Sequence, residues 1–278
     1  MICQWSSLLS ILPLWMRSEV DRLGKNDLQE LRLRQDKKGE LIRKSGEISL
    51  QRVITRDDLN FVINAASRYS PWTASTAAQG YITAQGGHRI GMCGECVMQN
   101  GTMTGIRNIR SLCIRVARDF PGIADSVPNS GSVLILGPPG SGKTTLLRDM
   151  IRNRAETAAG SISVIDERGE LFPPGFSTGK RADVLTGCDK VHGVEIALKT
   201  MGPSCIAVDE ITSKADCDAL VQAGWCGVSL LASVHASCKE DLFARPVYAP
   251  LAESGIFDTL IILRPDKSWR LERMGRWK

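Results

Sequence analysis

Between Gly137 and Thr144 the chain reads Gly-Pro-Pro-Gly-Ser-Gly-Lys-Thr, which satisfies the phosphate-binding spacing G-x-x-x-x-G-K-[ST] at every position. Glycines let a backbone curl until successive N–H groups face one anion, and a helix starting there adds a positive partial charge. Gly137, Pro138, Pro139, Gly140, Ser141 and Gly142 are therefore candidate nucleotide contacts, continued into the helix by Thr145. Lys143 is placed to reach the β and γ phosphates of ATP and to act in catalysis, and the Thr144 hydroxyl to ligate Mg²⁺.

Carboxylates recur downstream. Cys205-Ile206-Ala207-Val208 followed by Asp209-Glu210 is an apolar strand that ends in two acids. Such a strand sets one carboxylate beside the metal's waters, here Asp209, and lets the next, Glu210, orient or deprotonate the attacking water. Val164-Ile165-Asp166-Glu167-Arg168 also ends a strand in acids. Glu167 is a second candidate for the base and Arg168 for a phosphate or a neighbouring subunit, set against a plain surface charge cluster. Leu230–Ala236 delivers Ser233 and His235 to one sheet edge, where His235 is expected to sense the γ-phosphate. Residues 175–190 lack apolar periodicity and read as a loop. Lys180, Arg181 and Lys190 in it are candidates for phosphate or inter-subunit contacts, and each singly is expected to be a solvated loop charge.

The elements that must position these groups are strands at 132–136, 161–166, 204–209 and 227–234. They alternate with helices near 144–158, 190–201 and 213–223. That alternation predicts an α/β fold with a parallel sheet covered on both faces, in which ligands sit at the strand C-termini. Upstream, Glu30–Arg34 and Glu40–Ile42 read as strands around a turn, and Thr55 caps a helix running from Leu59 to Tyr69. A second helix is expected after Pro71. Glycine-punctuated β-branched runs from Tyr81 to Arg118 predict an antiparallel sheet. Pro121 to Gly131 reads as a linker. Residues 1–120 thus form a smaller α+β domain with a partner or regulatory role, ahead of a phosphate-loop domain at 131–278.

The chain has 278 residues, a formal net charge of +5 and 5% aromatic residues. Lys and Arg outnumber Asp and Glu by 17 to 12 up to Ser130 and balance them at 18 to 18 beyond it. The excess is too mild to argue for nucleic acid. Ile2 to Met16 has no basic stretch before it and no cleavage pattern after it. It reads as a first helix running on into Ser18–Leu23 rather than as a signal peptide. No run reaches the ~20 apolar residues of a membrane span. Nine scattered cysteines suit a reducing compartment, and Cys93 and Cys96 lack the second ligand pair that zinc requires.

Taken together, the motifs resemble the stage III sporulation protein AA family of endospore-forming bacteria. The resembling segments are Gly137–Arg148, Asp166–Glu170, Ala182–Leu185 with Gly187-Cys188, Met201–Ile211 and Ser233–Ala236. Gly87–Gly91 and Ile114–Ala117 fit as well. That family is similar to the type II and type IV secretion ATPases, which implies a RecA-like domain in a homo-hexameric ring on the cytoplasmic face of a membrane complex. By this likeness Asp166-Glu167 corresponds to their aspartate box and the His235 segment to their histidine box. Asp209 stands where those enzymes carry glycine, which leaves the division of labour among Asp209, Glu210 and Glu167 open. The resemblance implies ATP hydrolysis that drives assembly or operation of a channel between mother cell and forespore. It places the protein in the cytoplasm on the mother-cell side, recruited by membrane proteins of the same operon.

Two other readings stand beside this one. A nucleic-acid motor is disfavoured because no appended single-strand-binding domain is present and aromatic stacking platforms are few. A nucleotide-gated scaffold with little turnover is disfavoured by the presence of both Asp209 and Glu210. Arg107, Arg110, Arg168, Arg181 and Arg264 are all candidates for an arginine finger.

Overall fold

A computed structural model describes residues 2–3, 5–25, 27–67 and 80–274. The chain divides into two units, Met1–Asp119 with Pro173–Phe176, and Phe120–Phe172 with Ser177–Lys278.

In the first unit, alternating apolar and polar residues build antiparallel strands with one buried face. Its strands are β1 (Ile2–Cys3), β2 (Leu28–Arg34), β3 (Lys38–Arg43), β4 (Gly46–Val53), β5 (Tyr81–Thr83), β6 (Arg89–Gln99), β7 (Thr102–Arg115) and β8 (Arg118–Asp119). β1 pairs with β8, and the rest form one sheet in the order β4-β3-β2-β7-β6-β5. Leu31, Leu33, Leu41, Ile90 and Ile114 from this sheet share a core with Leu8, Leu12, Met16 and Val20. Cys93 and Cys96 lie exposed on β6.

The single helix expected from Ile2 onward is two helices, α1 (Trp5–Ser10) and α2 (Leu14–Gly24), after the short strand β1. Pro13 sits at the cap of α2 with φ −55° and ψ 145°. Proline has no N–H to continue a helix and pushes its predecessor out of helical geometry, so the chain breaks there. Helix α3 (Arg56–Ser67) begins at Thr55 as its sequence signal predicts. Thr55 Oγ1 accepts from the Asp58 N–H at 3.2 Å while Asp58 Oδ2 accepts from the Thr55 N–H at 2.9 Å, a reciprocal cap. Residues 68–69 of the expected helix, and the second helix expected after Pro71, lie outside the described residues.

The second unit is built on near-continuous apolar runs, because its strands are buried on both faces. The strands are β9 (Val133–Leu136), β10 (Ile162–Asp166), β11 (Ala182–Thr186), β12 (Cys205–Ile211), β13 (Ser229–Val234), β14 (Thr259–Leu263) and β15 (Trp269–Arg273). They form a seven-stranded sheet in the order β11-β10-β12-β13-β9-β14-β15. All neighbours are parallel except β15, which runs antiparallel to β14. β11 corrects the loop expected over 175–190: its residues pair in register with β10 at the sheet edge, where the pattern is only half-buried.

Helices α4 (Lys143–Thr157), α5 (Lys190–Ile196), α6 (Lys214–Trp225), α7 (Lys239–Ala244) and α8 (Ala249–Ser254) cover this sheet. The two-residue side-chain period divides the core cleanly. Leu134, Ile206, Val208 and Leu230 pack with Val194 of α5 and Leu220 of α6. Val133, Ile135, Ala207 and Leu231 pack with Leu146, Leu147 and Met150 of α4. Ala124 and Val127 join that second face, and the Ala124 N–H donates to Asp149 Oδ2 at 2.9 Å. The segment Pro121 to Gly131 is therefore packed into the second unit instead of crossing as a free linker.

Candidate functional site

Strand β9 ends at Leu136, and the residues from Gly137 to Gly142 turn the chain into α4, whose first residue is Lys143. The turn needs left-handed backbone at Gly140 (φ 72°) and Gly142 (φ 99°), a region that costs a residue with a Cβ roughly 1 kcal/mol or more. No side chain caps α4 and no acid stands in its first turn. Its first N–H groups are thus left for an anion, as the phosphate-loop reading requires.

Lys143 is 6% exposed and spends its three donors inside the site. Its Nζ donates to Gly137 O at 2.9 Å and Pro138 O at 3.2 Å, and lies 3.0 Å from His235 Nδ1. Burial lowers the Lys143 pKa, opposed by the carboxylates of Glu210 and Asp209. His235 Nδ1 also lies 3.4 Å from Gly137 O, and its Nε2 is 2.7 Å from Glu210 Oε1. The result is a line of contacts from Lys143 through His235 to Glu210.

The other carboxylates are each held differently. Asp209 Oδ2 accepts from Thr144 Oγ1 at 3.2 Å, and its Oδ1 accepts from Ser233 Oγ at 3.1 Å. Ser233 is fully buried at the end of β13, and its Oγ accepts from the Glu210 N–H at 3.2 Å. Asp166 is buried at the end of β10, where it accepts the N–H groups of Glu170 and Phe172, both at 2.9 Å. Burial pushes its pKa up despite those bonds. Glu167 Oε2 takes the Lys190 ammonium at 2.5 Å. Glu167, Arg168, Lys190, Asp209 and Glu210 line one pocket at the strand C-termini. The structure therefore brings together the phosphate loop, Thr144, Asp209, Glu210, Glu167 and His235.

Thr144 and Asp209 offer two adjoining oxygen donors at the start of α4, which suits Mg²⁺, an ion that keeps several waters and takes few protein ligands.

The pattern of sporulation stage III, protein AA, matches residues 6–271, nearly the whole chain. The chain belongs to that family. Stage III sporulation protein AA of Bacillus subtilis (strain 168) is 34% identical over 277 residues, covering 93% of this chain and 90% of the relative. By fold, this sporulation AA chain is similar to the Legionella pneumophila ATPase DotB, with a TM-score of 0.62 at 18% identity over 94% of this chain and 80% of DotB. The pilus retraction motor PilT with bound ADP gives a TM-score of 0.63 at 16% identity, covering 89% and 76%. The second unit of this family member thus has a RecA-like fold. No helix among its described residues is long and apolar enough to cross a membrane.

Within this sporulation AA chain, the basic residues expected as solvated loop charges separate. Lys180 is exposed and pairs with Glu156 at 3.3 Å, and Arg181 donates to Ala158 O. Lys190, however, is 6% exposed and faces the site acids. Its spacing from Gly187 carried no signal of that burial, because the tertiary packing of α5 imposes it. Of the arginine candidates, Arg168 lines the acid pocket. Arg107 and Arg110 lie beside Glu95 in the first unit, at 3.3 and 3.9 Å, and Arg264 opens the turn into β15.

Proposed function

We propose that this chain binds ATP with Mg²⁺ and hydrolyses it to ADP and phosphate, energising assembly or operation of a secretion-like channel complex during endospore formation. The observation that carries the reading is Thr144 Oγ1 at 3.2 Å from Asp209 Oδ2. It joins the phosphate loop to the acid strand where a nucleotide's phosphates and metal would be held. The likeness to DotB and to ADP-bound PilT supports the same reading at the level of fold.

The reaction is in-line attack of water on the γ-phosphorus. The N–H groups of Gly140, Gly142, Lys143, Thr144 and Thr145 cradle the phosphates, Ser141 closes the loop by donating its N–H to Pro138 O, and Gly137, Pro138 and Pro139 shape the entry to that cradle. Thr144 and Asp209 would hold Mg²⁺, which would neutralise phosphate charge. Lys143 exchanges its carbonyl contacts for the β and γ phosphates, so the buried ammonium gains an anionic partner. That exchange removes the donor from His235 and leaves His235 to report the γ-phosphate to Glu210. Glu210 orients the water and takes its proton, with Glu167 beside it. The ring is a homo-hexamer in this proposal, held on the cytoplasmic, mother-cell face by membrane proteins of the same operon, with the first unit gripping the partner. No role for nucleic acid is part of it.

Nucleotide binding and turnover by purified variants test this. Lys143→Ala should weaken ATP binding by about 100-fold, the scale of one lost charged contact. Glu210→Gln should retain binding and lose turnover by about 100-fold or more. Intact binding and turnover in Lys143→Ala would refute the phosphate-loop assignment, and unchanged turnover in Glu210→Gln would move the base to Glu167.

A further inference from the structure

We infer that Lys190 is a positioning residue that locks the Glu167 carboxylate on the pocket wall it shares with Asp209 and Glu210. This inference deepens the ATPase reading and rests on it.

Lys190 is an unfavourable residue for its place. It is the first residue of α5, where the helix dipole repels a cation, and at 6% exposure it has lost most of its hydration. The contact that offsets these costs is Glu167 at 2.5 Å. The helix start itself is fixed: Asp189 caps it by accepting the His192 N–H at 3.0 Å. One turn on, Gly193 lies so close to β10 that a Cβ there would stand 2.5 Å from Ile165 Cγ2. Helix α5 is thereby registered against the strand that ends in Asp166 and continues into Glu167. The ammonium is set over the acid by packing and not by a loose loop.

Charge completes the argument. Asp166, Glu167, Asp209 and Glu210 line one pocket, and Lys190 is the cation lying on Glu167 there. Like charges at such range repel strongly once water is thinned out. Asp166 is occupied by backbone N–H groups, Asp209 by Thr144 and Ser233, and Glu210 by His235. The Glu167 side chain is already 39% exposed. Deprived of Lys190, it would swing towards water and away from its acidic neighbours. Lys190 thus holds Glu167 in place beside the water that Glu210 orients and deprotonates.

The test uses the full chain and steady-state hydrolysis of MgATP by Lys190→Met, Lys190→Arg, Glu167→Gln and the Lys190→Met/Glu167→Gln double variant. Methionine keeps the length and the buried stem, so folding is preserved, and thermal melts of each variant check it. Lys190→Met should lower kcat roughly tenfold to a hundredfold, with KM changed by less than about twofold. Lys190→Arg should recover most of the loss, and the double variant should be no slower than the slower single one. Wild-type kcat in Lys190→Met, losses that multiply in the double variant, or an effect confined to KM would each overturn the proposal. Absent turnover in the unmutated chain would overturn the ATPase reading together with this one; normal turnover with a silent Lys190→Met overturns this one alone.

Discussion

Among the described residues, the buried charged side chains Lys143, Arg148, Asp149, Arg154, Asp166, Lys190 and Asp216 lie in the second unit, whereas the first buries one, Asp119, together with His88. Other ions of the first unit pair at its rim. Glu95 meets Arg107 at 3.3 Å with both side chains well exposed, and Arg34 meets Glu40 at 2.6 Å with each more than one-third exposed. Burying an ion costs several kcal/mol unless partners replace its water. The second unit accepts that cost at the strand ends, where Lys143, Asp166 and Lys190 are each met by designed-in acceptors or donors. It also accepts it along α4, where Arg148 donates to Leu171 O and to Glu170 O. Fixed charges in a partly dry site act on a substrate far more strongly than exposed ones.

That contrast can be broken most directly at Asp149. It is 3% exposed, accepts the Ala124 N–H and pairs with Arg152 at 2.7 Å. Asp149→Ala should destabilise the second unit by about 3 kcal/mol, since it orphans a buried N–H and takes the carboxylate partner from Arg152. A urea midpoint unchanged from wild type would show that buried charge is not what distinguishes this unit.

A smaller effect is expected at Asp58 in the first unit, which caps α3 and accepts Trp15 Nε1 at 2.8 Å. Asp58→Ala should cost about 1 kcal/mol, the usual value of a lost cap. Burial alone would raise the Asp58 pKa, but the bonds from Trp15 and Thr55 outweigh it and the net shift is downward from 3.8. A carboxyl with a depressed folded-state pKa stabilises above its unfolded value and loses that contribution as pH falls through the folded one. The difference between wild type and Asp58→Ala in urea unfolding should accordingly shrink below about pH 4. A difference constant from neutral to acid pH would put the effect in packing, not in the carboxylate.

The smallest effect belongs to Glu95. Glu95→Ala should leave the melting temperature within experimental scatter at moderate salt, because exposed ion pairs are screened and pay side-chain entropy. A clear drop would show that the rim cluster of Arg107, Asn108 and Arg110 stabilises more than its exposure implies.

Much of the second unit is legible in residue order. The phosphate loop and the acid pair at Asp209 and Glu210 there, like the capped start of α3 in the first unit, are all signalled within a few residues of themselves, since turn geometry, strand ends and helix caps are local. The central strands are equally plain as apolar runs, and Thr259–Leu263 carries that same signal as β14. Edge strand β11 is not, because half of its pattern is exposed and only its pairing with β10 defines it. The break between α1 and α2 is marked by Pro13, but its position matters because Ile11 and Leu12 within the turn are wholly buried in the first unit's core.

The chemistry around Glu167 was the least legible. From spacing alone, Lys190 is one more lysine in a glycine-rich stretch, and Glu167 is a second candidate for the base beside Glu210. Tertiary structure gives His235 to Glu210 and Lys190 to Glu167. What residue order determined by itself was the cradle for an anion, the acids that follow it and the alternation that makes a parallel sheet, because each depends on neighbours a few residues away. What only the folded chain decided was the partner of each charge, because a buried ion's state is set by whichever groups packing brings within about 4 Å of it, however far apart they stand in the chain.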